Sequence, residues 1–155
     1  MEVPPPTVET LLASWPVARL ATHTAEGGVF QIPIVFARCR DRLWSPVDGK
    51  PKRSSALSRL SHVRANPRVS LLLDHYESDW RKLWWLRIEA RADVVRLADA
   101  PDPGIREAVE EALREKYPQY AHTPPFLGVP TALAMRVEST RSWCASAEAV
   151  RDLNP

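Results

Sequence analysis

The chain has 155 residues, 45% of them hydrophobic, which favours a single domain able to bury a core without disulfide or metal staples. Its 21 Lys and Arg against 19 Asp and Glu leave a formal charge of +2, far from the concentrated basic excess of a nucleic-acid binder. Cys39 and Cys144 are far apart and without paired spacing, so they carry no zinc or dithiol motif and read as small buried thiols of a reducing compartment.

The opening Met1-Glu2-Val3-Pro4-Pro5-Pro6 has no positively charged region followed by an apolar one, and no later run is long enough to span a bilayer, so a cytoplasmic location is expected. Residues 1–155 read as one domain, with 1–10 loosely ordered and 144–155 as a tail. Thr7 to Trp15 reads as a short helix, stopped by Pro16. Val17 to Thr22 and Val29 to Ala37 are apolar, β-branched runs on either side of Ala25-Glu26-Gly27-Gly28, which predicts a hairpin. Pro33 lacks a donor for a strand ladder and marks an edge position or a bulge. A third strand is expected from Arg42 to Val47, after the turn at Arg40-Asp41.

The segment Asp48-Gly49-Lys50-Pro51-Lys52-Arg53-Ser54-Ser55 packs three cations just before a helical pattern at Ala56, Leu57, Leu60 and Val63. A helix N-terminus carries partial positive charge and unpaired N–H groups, so cations are the wrong sign there unless an anion joins them. The cluster reads as half of a phosphate site or as a solvated basic loop. Ser54 or Ser55 is available as the N-cap, and Asn66-Pro67 ends the helix. Alternation then predicts strands over Arg68 to His75 and Leu86 to Val94, the second one-sided. Asp102-Pro103 is expected to open a helix whose inward stripe is Ile105, Ala108, Val109, Ala112 and Leu113. A last strand runs from Thr131 to Glu138. At least six strands without alternating crossover helices point to a mostly antiparallel barrel.

The dinucleotide glycine fingerprint, the phosphate-binding loop, the zincin HExxH and the hydrolase GxSxG are all absent from the sequence. His23, His62, His75 and His122 are scattered without ligand spacing, and each reads by default as a surface or hydrogen-bonded residue. His75 is set apart by its place at a strand end beside Asp74 and Tyr76. Aromatic surface is concentrated in Asp79-Trp80-Arg81-Lys82-Leu83-Trp84-Trp85, which suits a core, a subunit interface or contact with a flat ring. Trp143 is a similar candidate with weaker support.

Val17 to Thr22, Glu26-Gly27-Gly28, Gln31 to Phe36, Asp48 to Arg53, Asn66 to Leu72 and Asp74 to Trp80 follow one another in an order that resembles the pyridoxamine 5'-phosphate oxidase-like split-barrel family. Within that family the chain is similar to the branch of oxidoreductases that use the deazaflavin coenzyme F420. The resemblance covers about Leu11 to Trp143. It implies a six-stranded antiparallel split barrel of the FMN-binding type, a homodimer, and a flavin-like cofactor in a groove at the dimer interface.

On that resemblance the cofactor phosphate meets Lys50, Lys52, Arg53 and the Ser54 turn, with Asp48 at the same loop. Gln31 and Pro33 lie along the ring on the second strand, and Trp80 sits near the ring or the substrate mouth. Exposed cations such as Arg81 and Lys82 could assist the oligoglutamate tail. Hydride transfer is then the cofactor's own chemistry, which needs orientation and exclusion of water rather than a protein acid or base, so neither a catalytic residue nor a metal is expected. FMN carries a phosphate too and remains open as the alternative cofactor. A non-catalytic carrier of flavin, deazaflavin or haem, with His75 as a conceivable haem ligand, also survives.

Overall fold

The computed structural model describes residues 1–47, 55–126, 128–151 and 153, with residues 55–57 by backbone alone. Helix α1 spans Pro5–Ser14, earlier than the pattern suggested, because prolines are tolerated in the first turn where the N–H has no partner anyway. Strands β1 (Ala18–His23) and β2 (Val29–Ile34) are joined by a turn in which Gly27 takes φ +81 and Thr24 N–H donates to Gly28 O at 3.0 Å. Strands β3 (Ala37–Cys39) and β4 (Arg42–Pro46) meet at Arg40-Asp41, both with positive φ, as the right-handed twist of a two-residue hairpin requires.

Helix α2 (Ser55–Ala65) is followed by β5 (Arg68–His75), with Asn66 Oδ1 accepting the Arg68 N–H at 3.1 Å across the Asn66-Pro67 break. A 3-10 turn at Trp80–Lys82 leads into β6 (Trp84–Arg96), helix α3 (Ile105–Lys116) and β7 (Thr131–Cys144). Asp102 does not cap α3: its Oδ1 accepts the Gly104 N–H at 3.1 Å, and Gly104 is the N-cap. The helix starts later than expected because this local turn takes up the Asp side chain. β6 and β7 outrun their expected ends. They pair from Arg96↔Thr131 to Trp84↔Cys144, and a bulge at Glu89/Ala90 leaves Glu138 without a partner and shifts the phase of alternation. That shift, together with the polar Ser139 to Ser142, hid the second half of β7 from the sequence pattern.

The sheet has seven strands in the order β2-β1-β5-β6-β7-β4-β3, not six, because the apolar run Val29 to Ala37 is two strands. Laid flat, this sheet would hold β2 and β3 about 29 Å apart, six spacings of about 4.8 Å. Only Val35 and Phe36 join them, and that link spans about 10 Å at full stretch. The sheet therefore curls until its edges meet, as a split barrel. Pro33 falls on the edge strand β2, opposite Arg19 of β1.

Phe36, at the split, is fully buried and outside any ladder. The Tyr117 hydroxyl supplies its missing partner: it accepts the Phe36 N–H at 3.0 Å, and it lies 3.0 Å from Phe36 O and 2.8 Å from Pro16 O, to either of which it donates. One oxygen thus closes the seam that the topology opens. Burial pushes the Tyr117 pKa up to about 12.

Two cores result. Inside the barrel, Leu20, Leu71, Leu86, Ile88 and Met135 pack with Leu11 and Leu12 of α1 and Leu60 and Val63 of α2. Outside it, α3 lays Ile105, Val109 and Leu113 over Trp44, Ala132 and Ala134, each large side chain contributing about 1.5–3 kcal/mol by burial. Met1 is tied to the end of β7, donating to Cys144 O at 3.1 Å and accepting from the Cys144 N–H at 2.8 Å, and Val3 is buried. No helix among the described residues is long and apolar enough to cross a membrane.

Candidate functional site

The outer faces of β3, β4 and the start of β7 lie under α3. The outer faces of β2, β1, β5, β6 and the rest of β7 carry exposed or half-buried side chains. Register alone orders this second surface, since directly paired residues point to the same side about 4.5–5.5 Å apart. One row runs Gln31, Ala21, Ser70, Glu89, Ser139; the next runs Pro33, Arg19, Leu72, Arg87, Arg141; a third runs Asp74, Trp85, Trp143. On the other side of the Gln31 row lies Arg68, Arg91, Arg136.

Gln31 and Pro33 are exposed on this face. Trp80 is 72% exposed in the 3-10 turn beyond the Asp74 row, so the structure does not bring it against Gln31: their rows are at least about 14 Å apart along the strands. Asp48, Lys50, Lys52, Arg53 and Ser54 lie outside the described residues. The points where that segment leaves and returns are fixed: Val47 N–H donates to Thr131 O at 2.9 Å, and Arg59 of α2 donates to Pro46 O at 3.1 Å. Of the other cations considered, Arg81 is forked onto Asp79 with two contacts of 3.0 Å, and Lys82 reaches Glu77 at 3.3 Å. The Arg81 hydrogen bond holds the Asp79 carboxyl below its usual range.

Two clefts flank the start of β6. One, of about 400 Å³, is lined by Leu72, Tyr76, Trp85, Arg87 and Trp143, and Tyr76 is 77% exposed. The other, of about 620 Å³, is lined by Trp15, His75, Arg81, Lys82 and Glu148. Trp84 borders both, packed edge-on against Trp15 at 4.7 Å, and its buried Nε1 has no hydrogen-bond partner among the described residues. His75 Nε2 lies 3.5 Å from Glu77 and its ring meets Trp15 edge-on. His62, by contrast, is structural: its Nδ1 is 2.9 Å from Thr22 Oγ1 and its ring packs on Phe30.

Sequence reading missed Lys116. Its Nζ sits 3.5 Å above the centroid of Phe36 and 3.4 Å from Leu12 O, and burial pulls its pKa down to about 7. Nothing but a helix-terminal Lys in an amphipathic stripe signalled it. Among the described residues no His, Cys, Asp and Glu group is arranged to hold a metal.

Residues 4–144 match the family model described as pyridoxamine 5'-phosphate oxidase. No curated protein matches the chain. Several solved structures share the fold. A conserved hypothetical protein from Mycobacterium tuberculosis is 18% identical with a TM-score of 0.68, over 92% of this chain and 86% of that one. The haem storage protein HutZ from Vibrio cholerae is 16% identical with a TM-score of 0.67, over 93% and 95%. An FAD-binding protein from Mesorhizobium loti is 16% identical with a TM-score of 0.64, over 92% and 95%.

Proposed function

This chain belongs to the pyridoxamine 5'-phosphate oxidase family, and on that premise we propose that it is an oxidoreductase that binds coenzyme F420 and passes a hydride between it and a small organic acceptor. The observation that carries the reading is the uncovered outer face at β2, where Gln31 and Pro33 stand exposed on an edge strand. An edge strand that carries a proline presents polar backbone and a side-chain amide to a flat ligand rather than to a further strand.

In this reading Gln31 and Pro33 line the deazaflavin ring. Lys50, Lys52, Arg53 and Ser54 take its phosphate, Asp48 contacts the cofactor from the same loop, and Trp80 covers the ring of a second subunit's cofactor. The last assignment answers the separation of Trp80 from Gln31 within one chain. The apolar cleft at Trp85, Trp143 and Tyr76 supports a homodimer as its occupant, because aromatic surface of this kind is enriched in subunit contacts. The cofactor supplies the two-electron chemistry when bound; the chain's part is to orient the ring and keep water from one face of it. The two free cysteines suit a cytoplasmic protein.

FMN on the same residues is the alternative cofactor, supported by the FAD-binding protein of the same fold. A haem carrier is supported by the similar haem storage protein and by His75 and Trp15 in the larger cleft. Titration of the purified protein with F420, FMN and haem, followed by reoxidation of the reduced cofactor with candidate acceptors, separates these readings. F420 binding with turnover supports the proposal, binding without turnover supports a carrier, and binding of FMN or haem alone refutes the cofactor assignment.

A further inference from the structure

Arg68, Arg91 and Arg136 occupy directly opposed positions on β5, β6 and β7, so three exposed guanidinium groups lie side by side across the sheet. Like charges directly opposite one another destabilise a sheet. Three other arginines of the molecule's outer surface have a carboxylate partner: Arg19 pairs with Asp74, Arg87 Nε with Glu89 at 3.2 Å, and Arg42 with Asp93 at 3.4 Å, so that where Arg87 faces Arg141 one member of the pair is neutralised. Arg68, Arg91 and Arg136 make no side-chain ion pair among the described residues. The bulged Glu138, two positions from Arg136, makes none with them either.

We propose that Arg68, Arg91 and Arg136 form a binding strip for a small ligand carrying two or more anionic groups, an oligophosphate or oligocarboxylate laid across β5, β6 and β7. Neighbouring strands lie about 4.8 Å apart, so the three guanidinium groups are based along about 10 Å, the reach of a small oligoanion. Guanidinium pairs phosphate and carboxylate oxygens through two parallel N–H donors, which a row of such groups repeats along the ligand. A nucleic acid is the weaker fit, because the strip is flanked by Glu89 and Glu138 and the chain carries only +2 overall. The proposal does not rest on the cofactor reading, since none of its residues belongs to the Gln31, Pro33 or Lys52 set.

The test is calorimetric titration of the whole protein with tripolyphosphate and with tricarballylate at low ionic strength, in wild type, Arg91→Gln, and Lys52→Ala with Arg53→Ala. Arg91→Gln should weaken binding of at least one probe about tenfold or more, the loss of about one charge-assisted hydrogen bond. Without anion it should leave the melting temperature unchanged or raised, since it removes the central repulsion. FMN or F420 affinity should be unchanged, so loss of cofactor binding in the Lys52 and Arg53 variant tests the other reading separately. The proposal is overturned if anion affinity survives Arg91→Gln, or if it is lost instead in the Lys52 and Arg53 variant. It is equally overturned if a single-stranded oligonucleotide binds the strip more tightly than either probe. Dissociation of an oligomer by Arg91→Gln with anion affinity intact would assign the strip to a subunit contact instead.

Discussion

Replacing Tyr117 with Phe removes one oxygen and isolates its effect on the seam between β2 and β3. Phe36 is fully buried, and its N–H loses its acceptor, 3.0 Å away, with no other partner in reach along a ladder. The hydroxyl hydrogen serves one carbonyl at a time, and the nearer, that of Pro16 at 2.8 Å, belongs to an exposed residue, so water can replace the donor there. The cost is therefore set by one buried, unsatisfied donor, about 1–3 kcal/mol. For a domain of this size that corresponds to a fall in melting temperature of about 2–12 °C. Urea denaturation followed by tryptophan fluorescence gives the free energy, and hydrogen exchange should show the Phe36 amide losing protection first. The pH dependence supplies a second reading. Between pH 10 and 12 the unfolded tyrosine has released its proton while the folded one keeps it, so wild-type stability falls with rising pH, and Tyr117→Phe should remove that residue's share of the slope. A loss below about 0.5 kcal/mol, within the range of ordinary surface changes, would refute the role given to the hydroxyl.

Lys116 has the opposite sign. Its folded pKa of about 7 lies below the ordinary 10.5, so between these values the unfolded state holds a proton that the folded state has released, and stability rises with pH. Lys116→Met should flatten that rise in denaturation midpoints taken at pH 6, 8 and 10; an unchanged slope would mean that the Phe36 ring and the Leu12 carbonyl keep the ammonium charged. Lys52→Ala with Arg53→Ala should weaken F420 or FMN binding while costing the fold about half a kcal/mol or less, and unchanged affinity returns the cluster to a solvated loop. Trp143→Asp should leave the monomer folded and shift the sedimentation of a dimer toward monomer. No shift would remove the Trp85 and Trp143 cleft as the subunit contact.

Local chemistry was legible where a residue type admits few conformations. The glycine turn at Gly27, the Arg40-Asp41 reversal, the Asn66-Pro67 break and the apolar stripe of α3 each follow from nearest neighbours. Pro33 announced an edge for the same reason. Features that depend on pairing between distant strands were not legible. The run Val29 to Ala37 gives no sign of splitting at Val35 and Phe36, because the break is made by Tyr117, 81 residues away. The stretch of β7 from Ser139 to Ser142 is polar on both faces and became a strand only through its register with β6. Arg68, Arg91 and Arg136 look like three unrelated surface arginines until the register sets them in line. The basic segment at Lys50 to Arg53 keeps the standing that the sequence and the family resemblance lend it, since it lies outside the described residues.

The two-residue join at Val35 and Phe36 also bears on how the protein behaves in a crowded solution. An open seven-stranded sheet exposes two rows of unpaired N–H and C=O groups that invite another chain to pair. Here one terminal strand is three residues long and the other, six residues long, carries Pro33, which has no N–H to offer. Because the chain passes directly between them, neither border is long and flat enough to template a neighbour. The same closure that shapes the barrel should thus keep concentrated protein from assembling edge to edge, provided that Tyr117 holds the seam.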